Sequence, residues 1–312
     1  MNAPEQAQAQ AQEQAQEQTQ EQAQQQPKNG HLVIIGGHED RKHDMAILSR
    51  FVELCGGTGA KIVVITAAST VADEMWQVYD TAFGTLGVTR HSHLEVTSRQ
   101  DANSAEFVRQ VAEADGIFMT GGDQKRLLAL IGGTALDAEM HIALKLRGAT
   151  IGGTSAGASA MSGHMLAQGR VELHPEKGSV SLGAGLGFLH RVVIDQHFSE
   201  RQRLSRLLSV VAQNPYLQGI GIDEDTALVI ERGVGIEVLG QGAVTMVDGR
   251  TMTTNVADIK DRDTPELIDV RLHLLPAGSK YRLPVGDGLA SKKLPLPLID
   301  MLEIVTKRTP IQ

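Results

Sequence analysis

The chain has 312 residues, 41% of them hydrophobic and 21% charged. That composition can bury a sizeable core and excludes global disorder and collagen-like repeats. A formal net charge of −8 with only one Trp, three Tyr and six Phe excludes the basic footprint and the stacking platform that nucleic acid needs.

Residues 1–29 form a Gln/Ala/Glu-rich tail, with Gln at every even position from Gln6 to Gln26, too polar to fold and expected to act as a disordered spacer. No apolar run reaches membrane length, and no basic start followed by an apolar core marks export. The expectation is a cytoplasmic protein with no membrane partner and a single α/β domain over residues 30–312. The single cysteine, Cys55, excludes an internal disulfide and reads as a buried helix-end residue rather than a nucleophile.

From His31 onward short apolar runs alternate with helix-period segments, the pattern of βαβ units. His31 to Ile35 runs into Gly36-Gly37, Lys61 to Ile65 into Thr66-Ala67-Ala68-Ser69, and Gly116 to Met119 into Thr120-Gly121-Gly122-Asp123. Each reads as a buried parallel strand with a small-residue loop after it. Between them Met45, Leu48, Val52 and Cys55 recur at helical spacing, as do Phe107, Val108 and Val111. Ligands of an open parallel sheet gather beyond the carboxyl ends of its strands, so these loops should share one crevice. After about residue 215 the strands are closely spaced (Gly219 to Ile222, Ala227 to Ile230, Ile236 to Leu239, Val244 to Val247). They are expected to extend the same sheet in antiparallel fashion.

Gly152-Gly153-Thr154-Ser155-Ala156-Gly157 contains G-x-S-x-G after the plausible strand Ala149-Thr150-Ile151. Such a turn can push Ser155 out above the sheet as a nucleophile, though a glycine-rich turn also serves close packing or phosphate binding. A hydroxyl nucleophile needs a base and the base an orienting carboxylate. His197 ends the apolar run Val192-Val193-Ile194 through Asp195-Gln196, and Glu224 follows Gly219-Ile220-Gly221-Ile222. Taken singly, each of these two is more often a solvated strand-end group.

Together, Gly121-Gly122-Asp123-Gln124, Gly153-Thr154-Ser155-Ala156-Gly157-Ala158, Asp195-Gln196-His197-Phe198 and Gly221-Ile222-Asp223-Glu224 closely resemble the cyanophycinase family. These are serine peptidases related to peptidase E. The resemblance spans residues 31 to 283, including Val247-Asp248-Gly249 and Thr253-Thr254-Asn255. It implies an open, mostly parallel sheet flanked by helices, flavodoxin-like or class I glutamine amidotransferase-like, with an antiparallel C-terminal extension. It implies Ser155 as nucleophile, His197 as base and Glu224 as its orienting group, and hydrolysis of cyanophycin to β-aspartyl-arginine dipeptides by a homodimer.

The resemblance also implies Gln124, Asp195, Gln196, Arg201, Arg203 and Arg206 as substrate-binding residues. Asp195 is the natural partner for a guanidinium, and the arginines for carboxylates. By helical spacing Leu204, Leu207, Leu208 and Val211 form the apolar face after His197, leaving Arg206 nearly opposite it as a surface residue or a carboxylate contact. The Gly121-Gly122 loop, through Gly122, and the amide of Ala156 are expected to form the oxyanion hole.

No cofactor is expected, because no glycine string forms a dinucleotide fingerprint or a P-loop, and no metal, because His38, Glu39, Asp40 and His43, or His91 with His93, match no zinc spacing. The first group reads as a polar loop at the crevice rim. Cleavage of short aspartyl or isoaspartyl peptides by a related serine peptidase, and a non-enzymatic binding module on the same fold, are the alternative functions.

Overall fold

The computed structural model describes residues 30–284 and 294–308; the Gln-rich tail lies outside them. The predicted apolar runs form β1 (His31–Ile35), β2 (Lys61–Ile65), β4 (Gly116–Met119) and β5 (Thr150–Thr154), with β3 (Arg90–Leu94) at the sheet edge. The sequence of β3, RHSHL, carries no apolar run and so gave no strand signal. The later strands are β6 (His164–Gly169), β7 (Val180–Ala184), β8 (Val192–Gln196), β9 (Gln218–Ile222), β10 (Thr226–Glu231), β11 (Gly235–Gly240) and β12 (Ala243–Asp248). They are followed by β13 (Thr253–Thr254), β14 (Leu267–Ile268), β15 (Arg271–Pro276) and β16 (Lys280–Arg282).

The main sheet is eight-stranded, in the order β16-β11-β10-β1-β5-β4-β2-β3. From β1 to β3 the pairings are parallel, and β10, β11 and β16 add antiparallel strands beyond β1. Along β1 the side chains alternate. Leu32 and Ile34 enter one buried cluster, Val33 and Ile35 the other. Both sheet faces are therefore covered, as continuous apolar strands require. The helix Ala46–Cys55 packs Leu48 and Phe51 on one face; the helices Gln124–Ile131 and Ala135–Ile142 place Leu127, Ile131, Leu136 and Met140 on the other. Cys55 is buried at its helix end, and burial raises its thiol well above the usual range.

The antiparallel extension holds only for part of the second half. β9 and β12, expected in the main sheet, belong instead to a separate four-stranded sheet, β15-β12-β9-β8. In it β8 pairs with β9 in parallel and the other two pairings are antiparallel. An apolar run reports that a strand is buried and is silent on its neighbour. The division matters because the main sheet ends in Ser155, whereas the second sheet ends in His197 and Glu224.

The helix Leu204–Gln213 also differs from its expected orientation. It packs on β9 and β12 with Leu207 and Val211, and Leu204 is exposed. Arg206, Ser205 and Ser209 are buried as well, because the β6–β7 hairpin covers this side. With two flanks enclosed, a single apolar stripe is a poor guide to which residues are inside.

Candidate active site

β5 passes through Ser155 into the short helix Ala156–Ser159. Ser155 has φ 52°, a conformation that L residues adopt at a cost and that tight packing enforces here. A Cβ on Gly153 would stand 2.7 Å from the Gly157 backbone, and one on Gly157 would overlap Met119. The two glycines flanking the serine are thus steric requirements of the turn. The Ser155 amide donates to the Ile35 carbonyl (3.0 Å), tying the elbow to the end of β1.

Beyond β8, His197 has φ 49°, and its amide donates to the Gly36 carbonyl (2.8 Å). Ser155 Oγ donates to His197 Nε2 at 2.9 Å, and His197 Nδ1 donates to Glu224 Oε1 at 2.6 Å. The second oxygen of Glu224 lies 2.8 Å from Nδ1 of His38, whose side chain is 66% exposed. The His38 and His197 rings meet edge to face, 5.2 Å apart. His38 is therefore a rim residue, as expected, but one that shares the carboxylate behind the imidazole.

Burial is the largest influence on His197 and holds it below the usual imidazole value; the Glu224 hydrogen bond opposes this and the Arg201 charge reinforces it. For Glu224 partial burial acts upward, yet the hydrogen bonds from His197 and His38 prevail and keep it below the usual carboxylate range. The pair stands as neutral imidazole beside ionised carboxylate at neutral pH, the state in which a hydroxyl proton can be accepted.

The three expected loops do share one crevice. Ser155 opens on a cavity of about 550 Å³ walled by His38 and Glu39 after β1, Ala68 and Ser69 after β2, and Gly121 and Gly122 after β4. Gly122, at φ 144°, lies so close to the Ala68 carbonyl that a Cβ would overlap it, and the Asp123 amide donates to the same carbonyl (2.8 Å). A Cβ on Gly121 would be 3.4 Å from that of Ser155. The glycine loop thus lies beside Ser155.

The expected substrate-binding residues divide. Arg201 is exposed and on the cavity wall. Asp195 is enclosed: it is 0% exposed, and its carboxylate accepts from Arg206, including Nε at 2.9 Å, and from Arg203 Nη1 at 3.3 Å. Arg206 and Arg203 are buried with it. Burial pushes the Asp195 carboxyl upward against the pull of both guanidinium groups, and pushes Arg203 down to about 10. The three form an internal ion cluster that fixes the helix Leu204–Gln213 to β8. Gln196 accepts from Arg203 at its side-chain oxygen (3.3 Å), and Gln124 Nε2 donates to the Leu166 carbonyl (3.1 Å).

Glu39 was expected at the rim with Asp40 and His43; instead it is buried and bonded to Thr154 and Tyr79. Tyr79, from the helix Ala72–Thr85, gave no functional signal in the sequence, because its spacing with Ala82 and Phe83 is that of an ordinary core face. His91 and His93 have separate partners, Asp80 and Thr66, each at 2.8 Å.

Among known proteins, the chain is 40% identical over 260 residues to a cyanophycinase of Geminocystis herdmanii, a match covering 83% of this chain and 96% of the relative. It is 39% identical over 255 residues to a cyanophycinase of Thermosynechococcus vestitus, covering 81% and 79%. A solved peptidase from an acI-B1 Actinobacterium superposes with a TM-score of 0.62 at 25% identity, covering 82% of this chain and 97% of the other. Residues 32–238, which include Ser155, His197 and Glu224, match the model of peptidase family S51, and the chain belongs to that family of serine-type peptidases.

Proposed function

We propose that this peptidase hydrolyses cyanophycin, a polyaspartate bearing arginine on its β-carboxyls, to β-aspartyl-arginine dipeptides, with Ser155, His197 and Glu224 as its catalytic residues. The observation that carries the reading is the continuous hydrogen-bonded series from Ser155 Oγ through His197 to Glu224, at the mouth of a cavity carrying both signs of charge. The cyanophycinase relatives, similar over most of their length, supply the substrate class.

In this reading Ser155 Oγ attacks the backbone carbonyl carbon of an aspartyl unit while His197 Nε2 takes the hydroxyl proton. Glu224 keeps the opposite nitrogen protonated and stabilises the imidazolium that forms. The tetrahedral oxyanion is met by the backbone amides of Gly122 and Ala156. His197 then returns the proton to the leaving amine. Water, deprotonated by the same imidazole, releases the acyl group and restores Ser155. Arg201 is the contact for a substrate carboxylate. No step calls on a cofactor, and the working form is a cytoplasmic homodimer; sizing the purified protein in solution tests the latter.

Incubation with insoluble cyanophycin and, separately, with short aspartyl and isoaspartyl dipeptides is the direct test. Release of β-aspartyl-arginine from the polymer supports the assignment. Turnover of the dipeptides alone would move it to the related dipeptidases.

A further inference from the structure

The cavity beside Ser155 contains a carboxylate that none of these steps uses. Glu39 leaves β1 through Gly36-Gly37 and folds inward until it is 3% exposed, while still lining the cavity. Its Oε1 accepts from the Tyr79 hydroxyl, and its Oε2 accepts from Thr154 Oγ1 at 2.6 Å. Thr154 is the residue before the nucleophile. Both partners are neutral hydroxyls, which orient the carboxylate without cancelling its charge. Among the described residues Glu39 has no ion pair. Asp195, another buried acid near the site, has two.

Arg41 acts on the Tyr79 hydroxyl but makes no ion pair with Glu39; a buried carboxylate held only through hydroxyls has regained part of its lost hydration, so a cation delivered by a ligand is favoured there. Each Glu39 oxygen, with one hydroxyl bound, retains an acceptor position, enough for the two parallel bonds of a guanidinium. Val71, Met75 and the Tyr79 ring lie beside it in the same cavity and offer apolar wall to a methylene stem. Arg201 is exposed and Arg41 half-buried on that cavity, and the Arg41 guanidinium stands 5.7 Å over the Tyr79 ring. The buried anion is thus deep and the cations are shallow, with the exposed Asp123 carboxylate beside them on the cavity wall. An aspartyl-arginine unit carries the matching order, a guanidinium at the far end of a long side chain and carboxylates near its backbone.

We propose that Glu39 is the residue that receives the substrate guanidinium, with Arg41 and Arg201 facing the carboxylates of the same unit. This inference rests on the arginine-bearing substrate of the preceding subsection. It gives Glu39 the role that the sequence had offered to Asp195.

The test compares β-aspartyl-arginine with β-aspartyl-citrulline, which keeps length and shape and lacks the charge. Calorimetric binding to the Ser155→Ala protein is expected to favour the arginine dipeptide by about tenfold or more, and addition of Glu39→Gln to reduce the ratio to about twofold or less while citrulline affinity is retained. An unchanged ratio, or equal loss of both ligands by a folded Glu39→Gln protein, overturns the proposal. If Glu39→Gln does not fold, Met75→Lys, which introduces a resident ammonium into the cavity wall, is expected to abolish the arginine preference; a preserved preference again overturns it. Hydrolysis of cyanophycin by the wild-type protein is scored in parallel. Cleavage of the polymer with a Glu39-independent preference sinks only this inference. A Glu39-dependent preference without cleavage sustains it and sinks the preceding reading.

Discussion

A Cβ on Gly37 would stand 2.6 Å from Nε2 of His197, the nitrogen that accepts from Ser155. Gly37 also has φ +105°, so a side chain there meets backbone strain and the imidazole at once. Gly37→Ala is expected to displace the ring. The rate of polymer hydrolysis should fall by about a hundredfold, the scale of a misplacement near 1 Å, with KM much less affected. A Gly37→Ala protein with wild-type kcat would show that the ring position seen here is not the working one.

Ser155→Ala removes a hydroxyl whose hydrogen-bond partner is His197, so the fold should be retained and the chemistry lost. A decrease on the order of a millionfold is expected for loss of the nucleophile in such a group of residues. Dipeptide release checks the rate, and an unshifted thermal transition checks the fold. Even a tenth of the wild-type rate in a verified variant would remove Ser155 from the mechanism.

The positions of Ser155, His197 and Glu224 were legible because each ends an apolar run, and strand ends converge on one crevice in this architecture. That Ser155 comes from one sheet while His197 and Glu224 come from another was not legible, since β8 and β10 read alike as short buried runs. The burial of Asp195 was not legible for a related reason. Three apolar residues precede it, so it looked like the first polar group past a strand end, yet β8 is buried through Gln196 and the Leu204–Gln213 helix turns Arg206 inward to meet it. Glu39 gave the opposite error. An acid after two glycines resembles a solvated loop, and only the tertiary approach of Tyr79 and Thr154 makes it an interior group.

The pH dependence follows from the burial of His197. The base must be neutral to accept the Ser155 proton, so activity is lost as pH falls through its pKa. Because burial and the Arg201 charge lower that pKa more than Glu224 raises it, the acid limb of kcat/KM should have its midpoint below the ordinary imidazole value of about 6.5. Arg201→Gln removes a lowering charge and should move the limb to higher pH. Glu224→Gln removes a raising one and should move it lower, with a loss of roughly 10⁴ in kcat as the imidazole loses its orientation. A limb unmoved by Arg201→Gln would show that His197 does not sense that charge.

Asp195→Asn separates a structural from a recognition role for the buried acid. The substitution leaves Arg203 and Arg206 enclosed with no anion between them, and Arg206 Nη1 keeps only the Gly169 carbonyl (3.1 Å) among its described partners. Removing one member of a buried ion cluster costs about 3–5 kcal/mol, so the thermal transition should fall by roughly 10 °C. What remains folded should discriminate between β-aspartyl-arginine and β-aspartyl-citrulline as the wild type does, because the carboxylate never faced the cavity. Calorimetric unfolding gives the first quantity and dipeptide binding the second. A stable Asp195→Asn protein that had lost its arginine preference would return guanidinium recognition to Asp195 and show that the ion cluster opens when substrate binds.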